Sequence, residues 1–342
     1  PQEVDVAGRS TLPVTMQLAT GGLDEVVVVG YGTQRRTRVT GAISNVSGKT
    51  LNELPVPSVS QALQGRVAGV QVTNNGSPGT NPIVRIRGIS SISFASDPLY
   101  VVDGFPTGNL AAIDTRDIES VDVLKDASAA AIYGSRATNG VIIVTTKKGK
   151  RDSKLHINLD SYYGSQTSTK RLDLLNTDQY VQYAKALTNG AVPPRLEPAN
   201  FNQPIYSGAS QTYAQTNTDW QDEYFRTGMM TQHNIGLSGG NEISRFYASV
   251  GYLMQRGTTP VVGYERYNFR LNSDHQISKV FTFGENLYIS HGNQAYDNNE
   301  QGARTNLVNV IRQLPYMPVY DPTTSSGYRS ANNSFDGSDP TN

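Results

Sequence analysis

The 342-residue chain contains no cysteine, which removes disulfide frameworks, thiolate catalysis and cysteine-based zinc sites. Compartment stays open, because a cysteine-free chain survives in oxidising and reducing surroundings alike. Net charge is absent too. The 29 Lys+Arg are matched by 29 Asp+Glu, so bulk electrostatics give no hold on a nucleic acid. Charged residues are only 17 % of the chain, below the usual quarter. No apolar run approaches the roughly 18 residues of a membrane helix; the longest are Val26–Val29 and Val141–Val144. Pro1-Gln2-Glu3 does not open a charged-then-apolar leader. A membrane role is therefore left to a β-barrel, whose signal per segment is weak.

What is present points to strands and turns. Glycine is abundant at 32, and Tyr outnumbers Phe by 19 to 9. The length predicts two to three domains. Residues 1–22 read as the last piece of a preceding domain: Pro13–Leu18 alternates as one strand, and one strand does not stand alone. In the next stretch, residues 23–39, Val26, Val27, Val28 and Val29 favour an extended backbone, and Gly30 and Gly32 loosen the chain behind them. From these residues alone an ordinary buried strand is the plainer reading.

Residues 40–150 read as one compact α/β unit. Ser58 N-caps a helix through about Val67, with Gly69 ending it. Strands are expected at Val70–Val72, Ile83–Arg87 and Ile118–Leu124, and Leu99–Gly104 reads as a strand running into a turn. Asp126 caps a helix over Ala127–Tyr133 that Gly134 stops; its alanines keep it thin enough to lie close on a sheet. Gly140–Thr146 is a last buried strand.

After residue 150 the texture changes to alternation. Leu155, Ile157 and Leu159 alternate with His156, Asn158 and Asp160. Ile235 and Leu237 mark a second such stretch. Phe246, Ala248, Val250, Tyr252 and Met254 alternate with Tyr247, Ser249, Gly251 and Leu253. Tyr267, Phe269 and Leu271 alternate with Asn268, Arg270 and Asn272. A fifth stretch runs from Phe281 to about Ile289, with Glu285 a misfit on its apolar side. These are five strands of roughly the 9–11 residues that cross a bilayer obliquely. The connections run long, short, medium, short, long, which is the rhythm of a membrane barrel with short turns on one side. A soluble β-sandwich also alternates, but gives less reason for the long connections to share one end. Five strands do not close around a domain of this size, since plugged transporters need about 22. The region 151–342 is thus expected to be the first part of a barrel.

Enzyme motifs are weak. Gly236-Leu237-Ser238-Gly239-Gly240 fits a nucleophile-elbow pattern, but a second strand follows where that motif needs a helix. His156, His233, His275 and His291 sit on separate strands without zinc-binding spacing. Gly30-Tyr31-Gly32 lacks the third glycine of a dinucleotide loop. Asp297–Glu300 and Asp336–Asp339 offer oxygens to calcium but miss the complete EF-hand spacing, and read better as exposed turns. No metal ligand set and no catalytic residue is assigned.

Several stretches together resemble the SusC/RagA family of TonB-dependent outer-membrane transporters. Asp24, Glu25, Val26–Val29, Gly30 and Tyr31 resemble its TonB box, and Gln61–Val70 its first plug helix. Val84-Arg85-Ile86-Arg87-Gly88 and Pro98–Gly104, with Asp103 and Gly104, are similar to two further plug signatures. The longest match runs from Asp117 through Asp126 to Tyr133-Gly134-Ser135-Arg136 and Val141. Asp219-Trp220-Gln221-Asp222 with Phe225-Arg226 also resembles the family. The resemblance implies an α/β plug inside a transmembrane antiparallel barrel, and import of a nutrient, oligosaccharide or oligopeptide, across the outer membrane of a Gram-negative bacterium. It implies TonB as the source of work, drawn from the inner-membrane proton gradient, and a SusD-like lipoprotein as lid. Pairs of the two proteins forming a dimer, outer-membrane lipid around the wall and no cofactor complete the picture. Arg85, Arg87 and Arg136 are expected in ion pairs within the plug or to the wall. Trp220, Tyr316 and Tyr320, in the long connections, are candidates for touching cargo or lid. A siderophore or metal-chelate receptor and a non-transporting surface binding protein stay open as alternatives.

Overall fold

A computed structural model describes residues 26–29, 32–35, 43–53, 55–74, 76–90, 95–126, 130–296 and 306–329. The expectations for residues 13–18, 127–129, 297–300 and 336–339, and for Asp24, Glu25, Gly30 and Tyr31, lie outside them.

Strand β1 (Val26–Val29) is already paired. It runs antiparallel to β2 (Gly32–Arg35), with Val26 opposite Arg35 and Val29 opposite Gly32. The sequence reading had Gly32 as a loosening residue behind the valines; it is instead the first residue of β2. Two residues separate the strands, a spacing that antiparallel pairing accepts readily.

The α/β unit is built on a mixed sheet. Its strands are β3 (Ile43–Ser47), β6 (Leu99–Val102), β7 (Phe105–Thr107), β8 (Ile118–Leu124) and β9 (Val141–Thr146), in the order β3-β8-β9-β6-β7. Only β6 and β9 run parallel. A separate antiparallel pair, β4 (Val70–Thr73) and β5 (Ile83–Ile86), lies alongside. The sheet is covered on both faces. Val121, Val123, Ile142 and Val144 pack with Leu51, Val59, Leu63 and Val84. On the other face Leu124, Val141 and Ile143 pack with Val101, Ala130 and Ala137. Double coverage is why β9 reads as an unbroken apolar run rather than an alternation.

One helix departs from expectation: it covers only Val59–Ala62, and the Ser58 hydroxyl makes no capping bond. Turns follow to Gly69, whose φ of 76° suits glycine. After Asp126, whose carbonyl accepts Ala130 N at 3.0 Å, a 3-10 stretch covers Ala131–Ala137; it is broken inside at Gly134 (φ 64°, ψ −151°) rather than stopped there.

Five consecutive antiparallel strands form the wall: β10 (Ser153–Gln166), β11 (Gly228–Gly240), β12 (Ser244–Arg256), β13 (Gly263–Gln276) and β14 (Thr282–Ala295). Each has 13 or 14 residues, longer than expected, because the pairing continues past the apolar band at both ends. Register lines up that band. Leu159, Ile235, Val250, Phe269 and Ile289 form one row across all five strands. Ile157, Leu237, Ala248, Leu271 and Leu287 form the next. On the other side of the first row lie Ser161, His233, Tyr252, Tyr267 and His291, a belt of rings at the end where the chain enters and leaves by its long connections. Glu285, the misfit, sits opposite Ser273 and accepts its hydroxyl at 2.9 Å.

The long connections are not solvating loops. Segments 167–227 and 306–329 fold together around Leu196, Ile205, Tyr213, Tyr316 and Met317. Helix Thr177–Leu187 starts at a capping box between Asn176 and Gln179. Trp220 Nε1 donates to Leu314 O at 2.9 Å, Thr218 N to Pro315 O at 2.7 Å, and Arg329 Nη1 to Ile205 O at 3.0 Å. Thr323 and then Arg329 hold the Asp321 carboxyl below its ordinary pKa.

Candidate functional site: the interface between the α/β unit and the wall

The inward faces of β11–β14 carry polar residues, and these grip the α/β unit. The gripped element is the 3-10 turn Thr115–Asp117, which Asp114 caps by accepting Arg116 N at 2.9 Å. Residues three apart eclipse in a 3-10 turn, so Asp114 and Asp117 point the same way. Both are fully buried. Gln232 Nε2 donates to Asp114 Oδ1 at 3.0 Å, Tyr247 OH to Asp117 Oδ1 at 2.9 Å, and Asn234 Nδ2 reaches both carboxylates at 3.4–3.5 Å.

Two wall arginines supply the countercharge. Arg266, 1 % exposed, donates to the carbonyls of Ala111 (2.5 Å) and Ile113 (3.3 Å) and lies 4.0 Å from Asp114. Arg270 sits between two plug carboxylates, 3.3 Å from Asp103 and 3.8 Å from Asp117. It also stacks over the Tyr288 ring at 4.6 Å and donates to Thr146 Oγ1 at 3.2 Å. Asn272 bonds Thr146 Oγ1 and Lys147 O, both at 2.8 Å. Tyr288 OH donates to Ala112 O.

Asp103 reaches this network from a tight hairpin. Asp103 (φ 48°) and Gly104 (φ 89°) join β6 to β7 with both residues in the left-handed region, where Asp-Gly is favoured. Its carboxylate accepts Thr146 N at 2.9 Å and Thr146 Oγ1 at 2.6 Å. Burial raises the Asp117 pKa, and the neighbouring Asp114 adds to the shift, against the pull of Arg270 and Tyr247. At the long-connection end the contact is a close approach of backbone. A Cβ on Gly79 would lie 2.5 Å from the Tyr264 ring, and Gln294 Nε2 donates to Pro78 O at 2.8 Å.

A family model described as the TonB-dependent Receptor Plug Domain matches residues 35–141. TonB-dependent receptor P3 of Formosa agariphila is 40 % identical over 291 residues, covering 84 % of this chain and 27 % of that protein. TonB-dependent receptor SusC of Bacteroides thetaiotaomicron is 35 % identical over 311 residues, covering 85 % and 29 %. The RagAB peptide importer in its open-open state matches with a TM-score of 0.74 and 30 % identity, covering 90 % of this chain and 37 % of that one. The chain is a SusC/RagA-like plug with part of its barrel wall. It spans less than a third of the length of the two receptors.

Within this plug the motif residues divide. Asp103 and Gly104 are at the wall, as above. Arg85 pairs with Asp97 and Arg87 with Asp126, both inside the plug and partly exposed. Gly88, at φ 95°, turns the chain after β5. Arg136 is exposed and has no ion pair among the described residues; the 3-10 stretch turns it to solvent. Of the ring candidates, Tyr320 is exposed at 58 % and packs on Tyr328 at 5.5 Å. Tyr316 is a correction: it is 1 % exposed, the centre of the joined connections. Trp220 lines a cavity of about 360 Å³ between them. Ser238 lies inside β11 opposite Tyr247, not on a strand-to-helix turn. Sequence reasoning missed Asp114, Asp117, Arg266 and Gln232. The available signal was an inward-facing pair of arginines four apart on an alternating strand.

Proposed function

We propose that this chain serves TonB-dependent import of a nutrient, an oligosaccharide or oligopeptide, across the outer membrane. What carries the reading is the inverted wall. Its outward rows are apolar, while its inward rows clamp a folded stopper through buried charge and hydrogen bonds. Such contacts hold the plug firmly yet can be exchanged for water one at a time when it is pulled.

No proton gradient crosses an outer membrane, so the work must arrive from the inner one. Strand β1 uses one edge for β2, which leaves its other edge for a TonB strand to add main-chain hydrogen bonds by β-augmentation. A pull there acts on the chain entering β3, which pairs with β8, the strand that follows Asp117. A SusD-like lipoprotein acting as lid over the long connections, in pairs that dimerise, belongs to the same proposal.

Deleting residues 24–31 in the gene that encodes this chain is expected to abolish energised uptake and leave cargo binding intact. Uptake by the deletion strain equal to that of its parent would overturn the reading.

A further inference from the structure

The outward face of the wall is not an even apolar band. Where β11–β14 meet the belt of rings, a groove of about 440 Å³ is cut into it. Its floor is Ile235, Val250, Phe269 and Ile289, four neighbours in one row. Its upper edge is made of rings, His233, Tyr252, Tyr267 and His291. Most of that edge is held in place. His233 stacks on Tyr252 at 6.4 Å with the planes 7° apart, and Tyr252 lies 4.9 Å from Tyr267. Ser161 and Thr231 hold the two ring nitrogens of His233 at 2.9 and 3.0 Å.

Two residues further along the same strands, a cavity of about 260 Å³ opens on the same face. Its Met254, Glu265 and Asn293 are the next outward positions after Tyr252, Tyr267 and His291. Arg226 and Arg256 line it as well. Both are exposed, and neither makes an ion pair among the described residues. Arg226 is tied to the β12–β13 connection, its backbone N donating to Thr258 O at 2.8 Å. Glu265 is the one acid in that lining among the described residues, so cations lead by two to one.

Strand alternation turns Val250, Tyr252, Met254 and Arg256 away from the plug, so both hollows face the membrane and not the lumen. An ordinary lipid neighbour needs only apolar rows. On β10 the levels of the belt and above carry Ser161, Tyr163 and Ser165, with no charge. Only over the groove do apolar floor, ring shelf and unpaired guanidinium groups follow one another in a line. That order fits an amphiphile with an anionic head. Guanidinium forks match phosphate oxygens. Tyrosine hydroxyls suit the ester and amide groups at the hydrocarbon boundary. Glu265 can accept from a headgroup hydroxyl.

The long connections mark this end of a barrel as the outer one. We propose that the groove and the cavity together form a site for one phosphorylated glycolipid of the outer leaflet, with an acyl chain along Val250 and Ile289 and a phosphate on Arg226 and Arg256. The site uses the membrane setting of the wall and is independent of what is imported.

The test is native mass spectrometry of the purified full-length receptor in detergent. The probes are diphosphorylated lipid A, the same lipid stripped of its phosphates, and inorganic phosphate alone. One lipid A is expected to bind. Arg226→Gln and Arg256→Gln should each weaken it about fivefold, and the stripped lipid should bind roughly twentyfold more weakly and ignore both substitutions. Ile289→Trp fills the groove and should weaken both lipids. Two controls should change nothing: Ile157→Trp, in an apolar row on β10 outside the groove, and Arg151→Gln, away from both hollows. All five side chains are exposed, and thermal melting checks that each variant is folded. Equal binding of the two lipids, lipid A affinity that survives both arginine substitutions, or an Ile289→Trp variant that binds like its parent would each overturn the proposal. So would inorganic phosphate binding as tightly as lipid A, which would reduce the site to a plain anion pocket.

Discussion

The plug and the wall bury opposite kinds of residue. In the plug Val121, Val123, Ile142 and Val144 are fully buried. In the wall most of the buried residues are polar, Gln232, Asn234, Arg266, Asn268, Arg270 and Asn272 among them, with Leu253 an apolar exception, while Ile157, Leu159, Val250 and Ile289 stand 57–69 % exposed. The same rule of strand alternation operates in both places. What differs is the medium on each side. The plug turns its apolar faces inward against its own helices and turns. The wall turns them outward, toward hydrocarbon, and spends its inward face on holding the plug. The plug core is therefore held by shape, and the interface by pairing.

Breaking one pair should show this most strongly. Arg270→Leu leaves Asp103 and Asp117 buried without their countercharge, and losing one partner of a buried pair costs about 3–5 kcal/mol. Hydrogen exchange across β8 and β9 in the whole receptor should rise accordingly. Arg85→Leu, which breaks the partly exposed pair with Asp97, should cost no more than about 1 kcal/mol. Equal protection in the two variants would mean the interface is not held by charge.

The outward face supplies the next largest effect. Val250→Arg places a charge in the middle apolar row, where a lipid-facing arginine costs about 2–4 kcal/mol; Tyr252→Arg, in the ring belt, should cost about 0–1 kcal/mol. Folding titrations of the receptor in lipid vesicles measure both. A Val250→Arg variant as stable as Tyr252→Arg would show that no hydrocarbon lies against that row.

How much of this could be read from residues follows from the range of each interaction. The wall was legible because alternation is local: Val250 and Ser249 announce their opposite faces to any reader of the strand. Among the plug strands β4, β5, β6, β8 and the buried run of β9 were legible from local pattern, while β3 and β7 were not expected. The Asp103-Gly104 turn was visible both as a turn signal and by family resemblance. The first helix was not, because Ser58 is a good cap by residue type, and tertiary packing overrode its propensity. The clamp was half legible. Arg270 appears on the polar side of its strand, but its carboxylate partners Asp103 and Asp117 lie more than a hundred positions away, and nothing local joins them. The joined connections were illegible for that reason too. Tyr316 packs against Phe201 and Tyr180, and each of those rings taken alone looks like a loop residue.

The finest test of the contrast uses protons. Folding raises the pKa of Asp117, chiefly by burial and then through Asp114, so the folded state holds that proton more tightly than the unfolded one. The resulting stability is fully present below the ordinary carboxylate value of 3.8 and is lost as pH rises through the raised value. Acidifying from neutral toward 3.8 should therefore raise this contribution to the stability of the folded receptor, by at most about 1.4 kcal/mol per pH unit for one proton. The comparison is with Asp117→Asn. That variant keeps the shape, retains an acceptor for Tyr247, and carries no proton to exchange. Its stability curve, read by thermal melting of the whole receptor across that range, should be the flatter of the two. Parallel curves would place the charge burden of the clamp elsewhere than on Asp117. The fully buried Ile142 of the plug core offers a matched control, since Ile142→Val should lower the whole curve without changing its slope: shape has no proton to lose, and only the paired region can answer to pH.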